Sequence, residues 1–418
     1  MLKPKFLEIF LHRLGRNIQV NLILQFAWSI PFFLYTTYST LYMLKLGISA
    51  GEAGFINSVS FLLKAGISLG AGYIINRLGR KKSLIIFDLI SWMSSYVILG
   101  FASNFWHFLL ANILNSFLII DTIAWQCYLV EDVEPEHRIY VFNSLEVIGI
   151  LSGFFAPITG LLLSKYPFIE TIRGLYLFAG FCMLVSEIIR YLTLTETSVG
   201  KKILDASTPQ ARDIFKDLLK TLGYIGKNRP LILIILLNIL VSFSLTINGL
   251  FYTPFLTEYL HFSEGEVSVI PMVTSLVALG VMLFLIPRIR KSSSFLITGL
   301  GLYIAGAVLL LAASSIQMIA AVLANVICWA GARSLINIIL QSEISNAIHD
   351  DIRANVMAVY NILSMVCMFP AGIIGGQLYE LSPAYPFYFT LLTFVLSMAL
   401  YLLSIGIRKK TSVKTAVL

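Results

Sequence analysis

The chain has 418 residues, of which 58% are hydrophobic and only 12% are charged, and its mean hydropathy is +0.85. So few charges cannot solvate a soluble globular surface, and the apolar residues run in long blocks without the alternation of a membrane β-barrel. The net charge of +8 comes from Lys and Arg beside these blocks, which is typical of loops facing anionic lipid, so nucleic acid is not an expected partner.

Twelve apolar blocks follow one another along the chain. Each is long enough to cross a bilayer as a helix, which takes about 20 residues. The sequence therefore predicts an all-α integral membrane protein with twelve spans. The blocks cover residues 17–44, 50–76, 83–102, 104–130, 140–164, 172–194, 231–257, 266–288, 294–314, 316–343, 355–379 and 384–407.

The basic residues are distributed unequally between the two sides of these spans. The termini and the loops after even-numbered spans hold 25 of the 30 Lys and Arg residues, whereas the loops after odd-numbered spans hold only Lys45, Lys165 and Arg173. Basic loops stay on the cytoplasmic side of a membrane. Both termini are therefore expected in the cytoplasm, and a bacterial or archaeal inner membrane is the expected location.

The longest polar stretch divides the spans six and six. Residues 1–194 are predicted to form an N-terminal six-helix bundle, residues 195–229 a cytoplasmic linker, and residues 230–418 a C-terminal six-helix bundle. Within the linker, residues 213–222 place apolar side chains on one helical face. Such a segment fits a helix on the membrane surface, and a simple linker fits the sequence equally well.

The two halves share matched sequence features. Each has a Ser-x-x-Glu capping box at the start of its second span, in which both side chains satisfy backbone donors at a helix start. Each also has Gln followed by an acidic residue and Arg at the end of its fourth span. These pairs indicate duplication. The residues are Ser49/Glu52 and Ser263/Glu266, then Gln126, Glu136 and Arg138 against Gln341, Asp351 and Arg353.

The loop between spans two and three carries the most specific motif. Residues 72–82 contain Gly72, Asn76, Arg77, Gly79 and Arg80 at fixed spacing. This loop resembles the signature loop of the major facilitator superfamily, Gly-x-x-x-Asp-Arg-x-Gly-Arg-Lys/Arg. The resemblance implies two pseudo-symmetric six-helix bundles, transport by alternating access, and a role for the loop in conformational gating.

Three departures qualify this resemblance. Asn76 stands where the family usually has Asp, which weakens a charge pair to a neutral hydrogen bond. The counterpart loop, residues 287–291, keeps its charges without the glycines. Proton-driven drug exporters usually have an intramembrane Arg in span four, where this chain offers Asn112, and Gly-Pro-x-x-Gly-Gly in span five, from which residues 156–161 differ. That subgroup is therefore not indicated. Separately, small residues in spans five and eleven predict close helix contacts, namely Gly149, Gly153, Gly160, Gly372 and Gly376.

Three charged residues lie well inside the spans: Lys64, Asp121 and Arg333. A charge at mid-membrane costs about 2.5–3.5 kcal/mol on insertion scales, so these residues are candidates for substrate binding or coupling. Lys64 and Asp121 have similar predicted depths, and either a structural ion pair or a pair broken by substrate or a proton is consistent with the sequence. Proton coupling would depend on Asp121. Asp88, Glu146 and Glu187 lie nearer span ends and are expected to reach the interface.

Arg333 has no acidic partner within the second half. Trp329, Arg333 and Asn337 lie on one face of span ten, and an Arg beside an aromatic ring suits a carboxylate or phosphate. An anionic substrate is one hypothesis, and pairing with Asp121 is the alternative.

Spans one and seven carry further polar and aromatic candidates. Gln25, Trp28 and Tyr35 belong to a polar and aromatic stripe on span one, and Asn238 lies in span seven. The resemblance implies that spans one, four, seven and ten line the central cavity. Aromatic stripes more often pack against other helices, but interleaved amides would be unsatisfied in lipid.

The sequence therefore predicts a secondary transporter of a small solute, anionic or amphipathic, with a proton as a possible coupling partner. It is expected to act as a monomer among membrane lipids, with no cofactor and no metal. A non-transporting receptor on the same scaffold is the alternative. An integral membrane enzyme is a weaker one, because the five histidines are scattered near span ends.

The predicted topology can be tested with single cysteines. In intact cells, a membrane-impermeant thiol reagent should label Lys165→Cys, because this loop is predicted outside, but should label Lys202→Cys only after permeabilisation. The protein with its four native cysteines gives the background. Labelling of Lys202→Cys in intact cells would contradict cytoplasmic termini.

Overall fold

A computed structural model describes residues 14–205, 214–288, 292–313, 318–346 and 353–415, and within these ranges the chain is helical with no strand. Twelve helices are long and apolar enough to cross a membrane. The predicted all-α fold with twelve spans is confirmed. Asp351 and most of the loop at 287–291 lie outside the described residues.

Several of the first six spans depart from a regular α-helix. Span one contains a 3-10 turn at Thr36–Tyr38, span three a π-helical segment at Leu89–Met93, and spans four and five each have a short break. The spans are Arg16–Lys45, Ala50–Leu78, Arg80–Gly100, Phe105–Val130, Arg138–Leu163 and Phe168–Thr193.

Two further helices, Ser198–Asp205 and Ile214–Lys227, precede the second group of spans. The second of these covers most of the predicted amphipathic segment. The remaining spans are Arg229–Tyr259, Glu264–Leu285, Ser294–Ala312, Met318–Asn337, Val356–Leu381 and Tyr385–Leu403. Four of the helices continue beyond these apolar cores, as Ser292–Ala312, Met318–Asn346, Arg353–Leu381 and Tyr385–Thr415.

Local sequence explains where several helices begin. The Ser49 N–H donates to the Glu52 carboxylate at 2.8 Å and the Glu52 N–H donates to Ser49 Oγ at 3.1 Å, so the predicted capping box is present at the start of span two. Asn104 Oδ1 accepts from two backbone N–H groups at the start of span four. Asn228 does the same for one N–H group at the start of span seven.

Two helix irregularities position side chains of the candidate site. The α-helical part of span three ends at Asp88 and continues as the π-helical segment that contains Trp92. Span four breaks after Asn115 and resumes at Leu118, so Asp121 lies in the first turn of the second piece. A π-helical turn changes which face of a helix a side chain occupies, and such turns occur often at functional sites.

The chain divides by contacts into two compact units. Unit 1 comprises residues 1–48, 59–212 and 264–272, and unit 2 comprises residues 49–58, 213–263 and 273–418. The helix Ala50–Leu78 thus gives its first residues to unit 2 and the rest to unit 1. The chain after Ser263 does the reverse, because the beginning of span eight belongs to unit 1.

Within unit 2, three glycines allow two helices to cross at backbone contact. A Cβ atom built on Gly54 would lie 2.1 Å from the backbone oxygen of Gly372, and one built on Gly376 would lie 2.4 Å from that of Ala50. Real Cβ atoms do not approach oxygen atoms this closely, so no larger residue fits without moving a helix. The predicted close contact at Gly372 and Gly376 is present, whereas Gly149 in span five has no described atom within 4 Å of its Cβ position and makes no such contact.

We expect Gly54→Ala to destabilise the protein by about 1–3 kcal/mol, because the added methyl group meets backbone that cannot move aside cheaply. Gly70→Ala is the matched control on the same helix, since nothing lies within 4 Å of its Cβ position. The control should be neutral or slightly stabilising. Thermal unfolding of both purified variants measures the difference, and equal melting temperatures would contradict the close crossing.

Candidate functional site

A buried ion-pair cluster lies between spans three and six of unit 1. One nitrogen of the Arg190 guanidinium, Nη1, donates to both the Asp88 and the Glu187 carboxylates, the latter at 2.6 Å. The exposed fractions of these residues are 5% for Arg190, 4% for Asp88 and 2% for Glu187. One guanidinium therefore neutralises two carboxylates away from solvent.

This cluster corrects the sequence-based expectation for Asp88 and Glu187. Both were expected to reach the interface, but both are buried against Arg190, and only Glu146 is exposed. Arg190 itself had been counted among the cytoplasmic loop charges. The spacing of Glu187 and Arg190 by three residues was the available signal, because it places them on one helical face. Which way that face points could not be deduced from the spacing.

Asp121 adjoins the same cluster from span four. Its exposed fraction is 7%, and its Oδ1 atom is buried without a hydrogen-bond partner in the described part of the chain. It lies close enough to Asp88 and Arg190 to interact with both. Two carboxylates thus contact one guanidinium, and a third lies near them.

The predicted pairing of Lys64 with Asp121 is not present. Lys64 is half-buried and forms no salt bridge with any described residue. Similar depth along two helices was a necessary condition for this pair but not a sufficient one, because depth leaves the rotation of each helix undetermined. The charges that face Asp121 come from spans three and six.

A cavity of about 510 Å³ opens beside the cluster, within unit 1. Its walls combine aromatic rings with the charged groups, and they bring together three of the predicted site residues, Gln25, Trp28 and Asp121. The other lining residues are Phe32, Asp88, Trp92, Leu118, Thr122, Trp125, Met183 and Arg190. A cavity of this size accommodates a small organic solute.

The aromatic side of the cavity is an ordered group of rings. Trp28 stacks on Phe32 with ring centroids 4.9 Å apart and planes 19° from parallel. Trp92 meets Trp28 edge-on at 5.5 Å and Phe32 edge-on at 6.4 Å. Trp125, from span four, packs against apolar side chains of two core clusters. Such interlocked rings are held in fixed orientations.

Tyr35 is the predicted span-one residue that does not line this cavity. Its hydroxyl donates to the Tyr96 hydroxyl at 2.8 Å, and its ring lies 4.5 Å from that of Tyr176. The side chain is buried in a packed tyrosine cluster that also includes Tyr42. Packing is therefore the role that the structure gives this end of the stripe.

The predicted residues of the second half lie in unit 2, and two of them have clear partners. Asn238 Oδ1 accepts from the hydroxyls of Tyr360 at 2.7 Å and Ser242 at 3.2 Å. Trp329 stacks on Tyr252, with centroids 5.7 Å apart. Both are thus part of side-chain networks within this unit.

Arg333 and Asn337 are both exposed in span ten. Arg333 forms no salt bridge with a described residue. Binding of an anionic group by Arg333 stays a prediction.

The signature loop has a defined structure in unit 1. Arg80 is buried, and its Nε donates to Glu131 at 3.0 Å while its Nη1 donates to Asn76 Oδ1 at 2.9 Å. Asn76 therefore accepts the hydrogen bond that an Asp would accept here, without the second negative charge. Arg77 is exposed.

Glu196 is a residue of this region that the sequence did not reveal. Its carboxylate accepts from the backbone N–H groups of Arg80 at 3.1 Å and Lys81 at 3.0 Å, where a helix begins. A carboxylate at a helix N-terminus satisfies free donors and complements the helix dipole. The segment after span six is thereby fixed to the loop before span three.

Gly79 makes this contact possible. Its φ is +87°, a conformation that favours glycine, and a Cβ atom there would lie 2.5 Å from Glu196 Oε2. Gly72, the other glycine of the motif, has nothing within 4 Å of its Cβ position.

Comparison with known proteins supports the assignment that the fold and the loop indicate. The family model of the Major Facilitator Superfamily matches residues 20–372. A similar curated protein is the uncharacterized MFS-type transporter YqjV of Bacillus subtilis strain 168, 30% identical over 137 residues, which cover 31% of this chain and 33% of that protein. The match thus spans about a third of that relative.

Solved structures show the same fold at low sequence identity. The nucleoside transporter NupG has a TM-score of 0.70 at 15% identity, covering 94% of this chain and 100% of that one. A bacterial homologue of the human lysosomal transporter Spinster has a TM-score of 0.63 at 16% identity, covering 97% and 98% of the two chains. Twelve spans and a signature loop define a helical membrane transporter rather than an enzyme. The chain belongs to the Major Facilitator Superfamily.

Gly79→Ala and Gly72→Ala should differ clearly. We expect Gly79→Ala to lower the free energy of unfolding by at least about 1–2 kcal/mol, because alanine in the left-handed region is strained and its methyl group displaces Glu196. Gly72→Ala should have no destabilising effect in the same thermal unfolding measurement. Equal losses in both variants would mean that the motif glycines are needed for something other than this contact.

Proposed function

We propose that this protein is a secondary active transporter that moves a small solute by alternating access and couples its movement to protons at Asp121. The observation that carries this proposal is the excess of buried carboxylates over cations beside the cavity. Asp88 and Glu187 contact a single guanidinium, Asp121 adds a third carboxylate beside them, and Asp121 Oδ1 has no hydrogen-bond partner among the described residues.

An unpaired carboxylate in such surroundings is costly. Moving a charge out of water costs several kcal/mol even after the protein relaxes, and a partner is needed to offset that cost. Arg190 already donates to two carboxylates, so it cannot fully neutralise a third. A bound proton removes the excess charge, and so does a bound cation. The empty site is therefore expected to hold a proton near Asp121.

Proton binding at this position would bias the conformational equilibrium. A ligand shifts an equilibrium between two states only by its difference in affinity for them. A proton on Asp121 would favour the conformation in which the cluster is driest, and its release would favour a hydrated one. A solute that alters the charge at the same cavity would then move with, or against, the proton.

Several features support transport over the alternative of a non-transporting receptor. The chain has the fold of solved nucleoside and peptide transporters. Its cavity is large enough for a solute, and charged groups that can exchange protons line it. Action as a monomer in a bacterial or archaeal inner membrane with cytoplasmic termini belongs to the same proposal.

Tryptophan fluorescence tests proton binding without any substrate. Because Trp28, Trp92 and Trp125 line the cavity, the fluorescence of the purified protein should change with pH as the Asp121 carboxyl gains or loses its proton. Asp121→Asn, which cannot titrate at this position, should lose that transition. Glu170→Gln, a change at an exposed glutamate, is the matched control and should titrate normally. A wild-type titration curve from Asp121→Asn would contradict the proposal.

Transport itself is tested in proteoliposomes. A library screen by thermal stability selects the solute that raises the melting temperature most, since ligands that bind the native state stabilise it. Wild-type protein should accumulate this solute when a proton gradient is imposed. Asp121→Asn should lose gradient-driven accumulation but keep exchange of labelled for unlabelled solute, because exchange needs no net proton movement. Binding with no exchange in either protein would indicate a receptor.

The charge of the substrate follows from a different line of evidence. Arg333 remains the candidate for an anionic group, and Arg333→Ala with unchanged affinity would remove its basis. The cavity in unit 1 instead favours a positively charged group, because its carboxylates outnumber its single guanidinium.

A further inference from the structure

We infer that the cavity in unit 1 binds an organic cation with a flat or bulky apolar body, with its positive charge next to Asp121. That the cation is a transported substrate rests on the proposed function. That it binds here follows from the geometry of the cavity alone. Three features of the cavity support it: the charge balance of the walls, the unpartnered Oδ1 atom of Asp121, and the arrangement of the aromatic rings.

The charge balance disfavours an anion as the preferred occupant, even though the cavity also has two buried donors without an acceptor among the described residues, Trp28 Nε1 and Arg190 Nε. Arg190, the single base of the lining, has one nitrogen that donates to both Asp88 and Glu187. Asp121 adds a further carboxylate to this group. With all groups ionised, the cluster carries an excess of two negative charges, because three carboxylates face one guanidinium. A second anion would add to this excess in a poorly solvated place.

Asp121 provides the contact point for a cation. The residue is more than nine-tenths buried, it lines the cavity, and its Oδ1 atom has no hydrogen-bond partner in the described residues. A buried acceptor without a donor is rare in folded proteins and costs free energy. An ammonium or ring-nitrogen cation beside this oxygen would offset that cost and the excess charge at once.

The aromatic rings provide the second element of cation recognition. Trp28, Phe32 and Trp92 form an interlocked group whose centroids lie 4.9 to 6.4 Å apart. Aromatic faces carry negative electrostatic potential, and cations placed over tryptophan are attracted most strongly. Trp125 adds a fourth ring to the lining. Rings also stack on neutral flat molecules, so the rings contribute mainly to the recognition of shape, and the carboxylates supply most of the selection for charge.

Three acridine probes of the same shape separate these contributions. N-methylacridinium is a permanent cation, acridine is neutral at a pH where it is unprotonated, and acridine-9-carboxylate is an anion. Quenching of tryptophan fluorescence gives their affinities for the full-length protein in detergent, and thermal stabilisation gives an independent measure. We expect the cation to bind about tenfold tighter than acridine, because only the cation is attracted by the Asp121 carboxylate, and the anion to bind most weakly because the same carboxylate repels it.

Two variants assign the preference to its causes. Asp121→Asn should reduce the cation-to-neutral affinity ratio about tenfold while acridine binding is retained, because the rings are unchanged. Trp28→Ala should weaken all three probes. Equal affinities of wild-type protein for cation and neutral probe, or tighter binding of the anion, would overturn the inference. The comparison of the three probes on wild-type protein tests the inference even if Asp121→Asn does not fold.

Proton release separates this inference from the proposed coupling. If Asp121 holds a proton in the empty site, each bound N-methylacridinium should displace about one proton, detectable in weakly buffered solution. Charge-selective binding without proton release would support the cation site and contradict proton coupling. If the protein shows no charge preference among the probes but takes up a solute in response to a proton gradient, proton coupling is supported and the cation site is contradicted.

Discussion

The cost of burying charge is the constraint on which the N-terminal part of this protein depends. Arg190 is neutralised by Asp88 and Glu187, all three of them nearly inaccessible to solvent. Breaking such a cluster by removing one partner leaves an uncompensated charge, which costs about 3–5 kcal/mol. Spans three and six are therefore held together by electrostatics as well as by packing. Asp121, on span four, adds a third carboxylate to an arrangement that is already neutral or negative.

That third carboxylate is the reason for proposing a functional site here rather than a structural ion pair. A purely structural cluster would be expected to balance its charges and satisfy its oxygen atoms, as Arg80 does with Glu131 and Asn76. Asp121 and Glu187 instead each have a buried oxygen atom without a hydrogen-bond partner among the described residues, and of these two only Asp121 lines the open cavity. Helix irregularities accompany it, because Trp92 lies in a π-helical segment and Asp121 follows a break in span four. Regular helices would point these side chains elsewhere.

The signature loop shows how one substitution is accommodated. Asn76 replaces the usual acidic residue, yet Arg80 keeps an ionic partner in Glu131 and its backbone is capped by Glu196. Thr197 also donates to Glu131 at 2.5 Å, so the segment after span six contacts the end of span four as well as the loop. Loss of one charge at position 76 is thus offset by acids from two other parts of the chain. A motif comparison alone sees the departure but not the residues that compensate for it.

The sequence by itself determined the twelve spans, the capping box at Ser49 and the family to which the chain belongs, because these depend on local composition and on short spacings. It also identified Gln25, Trp28 and Asp121 as candidates, since polar and charged side chains are costly within a span. The tertiary structure decided which of them meet. It placed Tyr35 in a packed cluster, left Lys64 without Asp121, and buried Asp88, Glu187 and Arg190 together. Sequence spacing fixes the depth and the relative face of residues on one helix, but the rotation and tilt of each helix against its neighbours come from packing along its whole length.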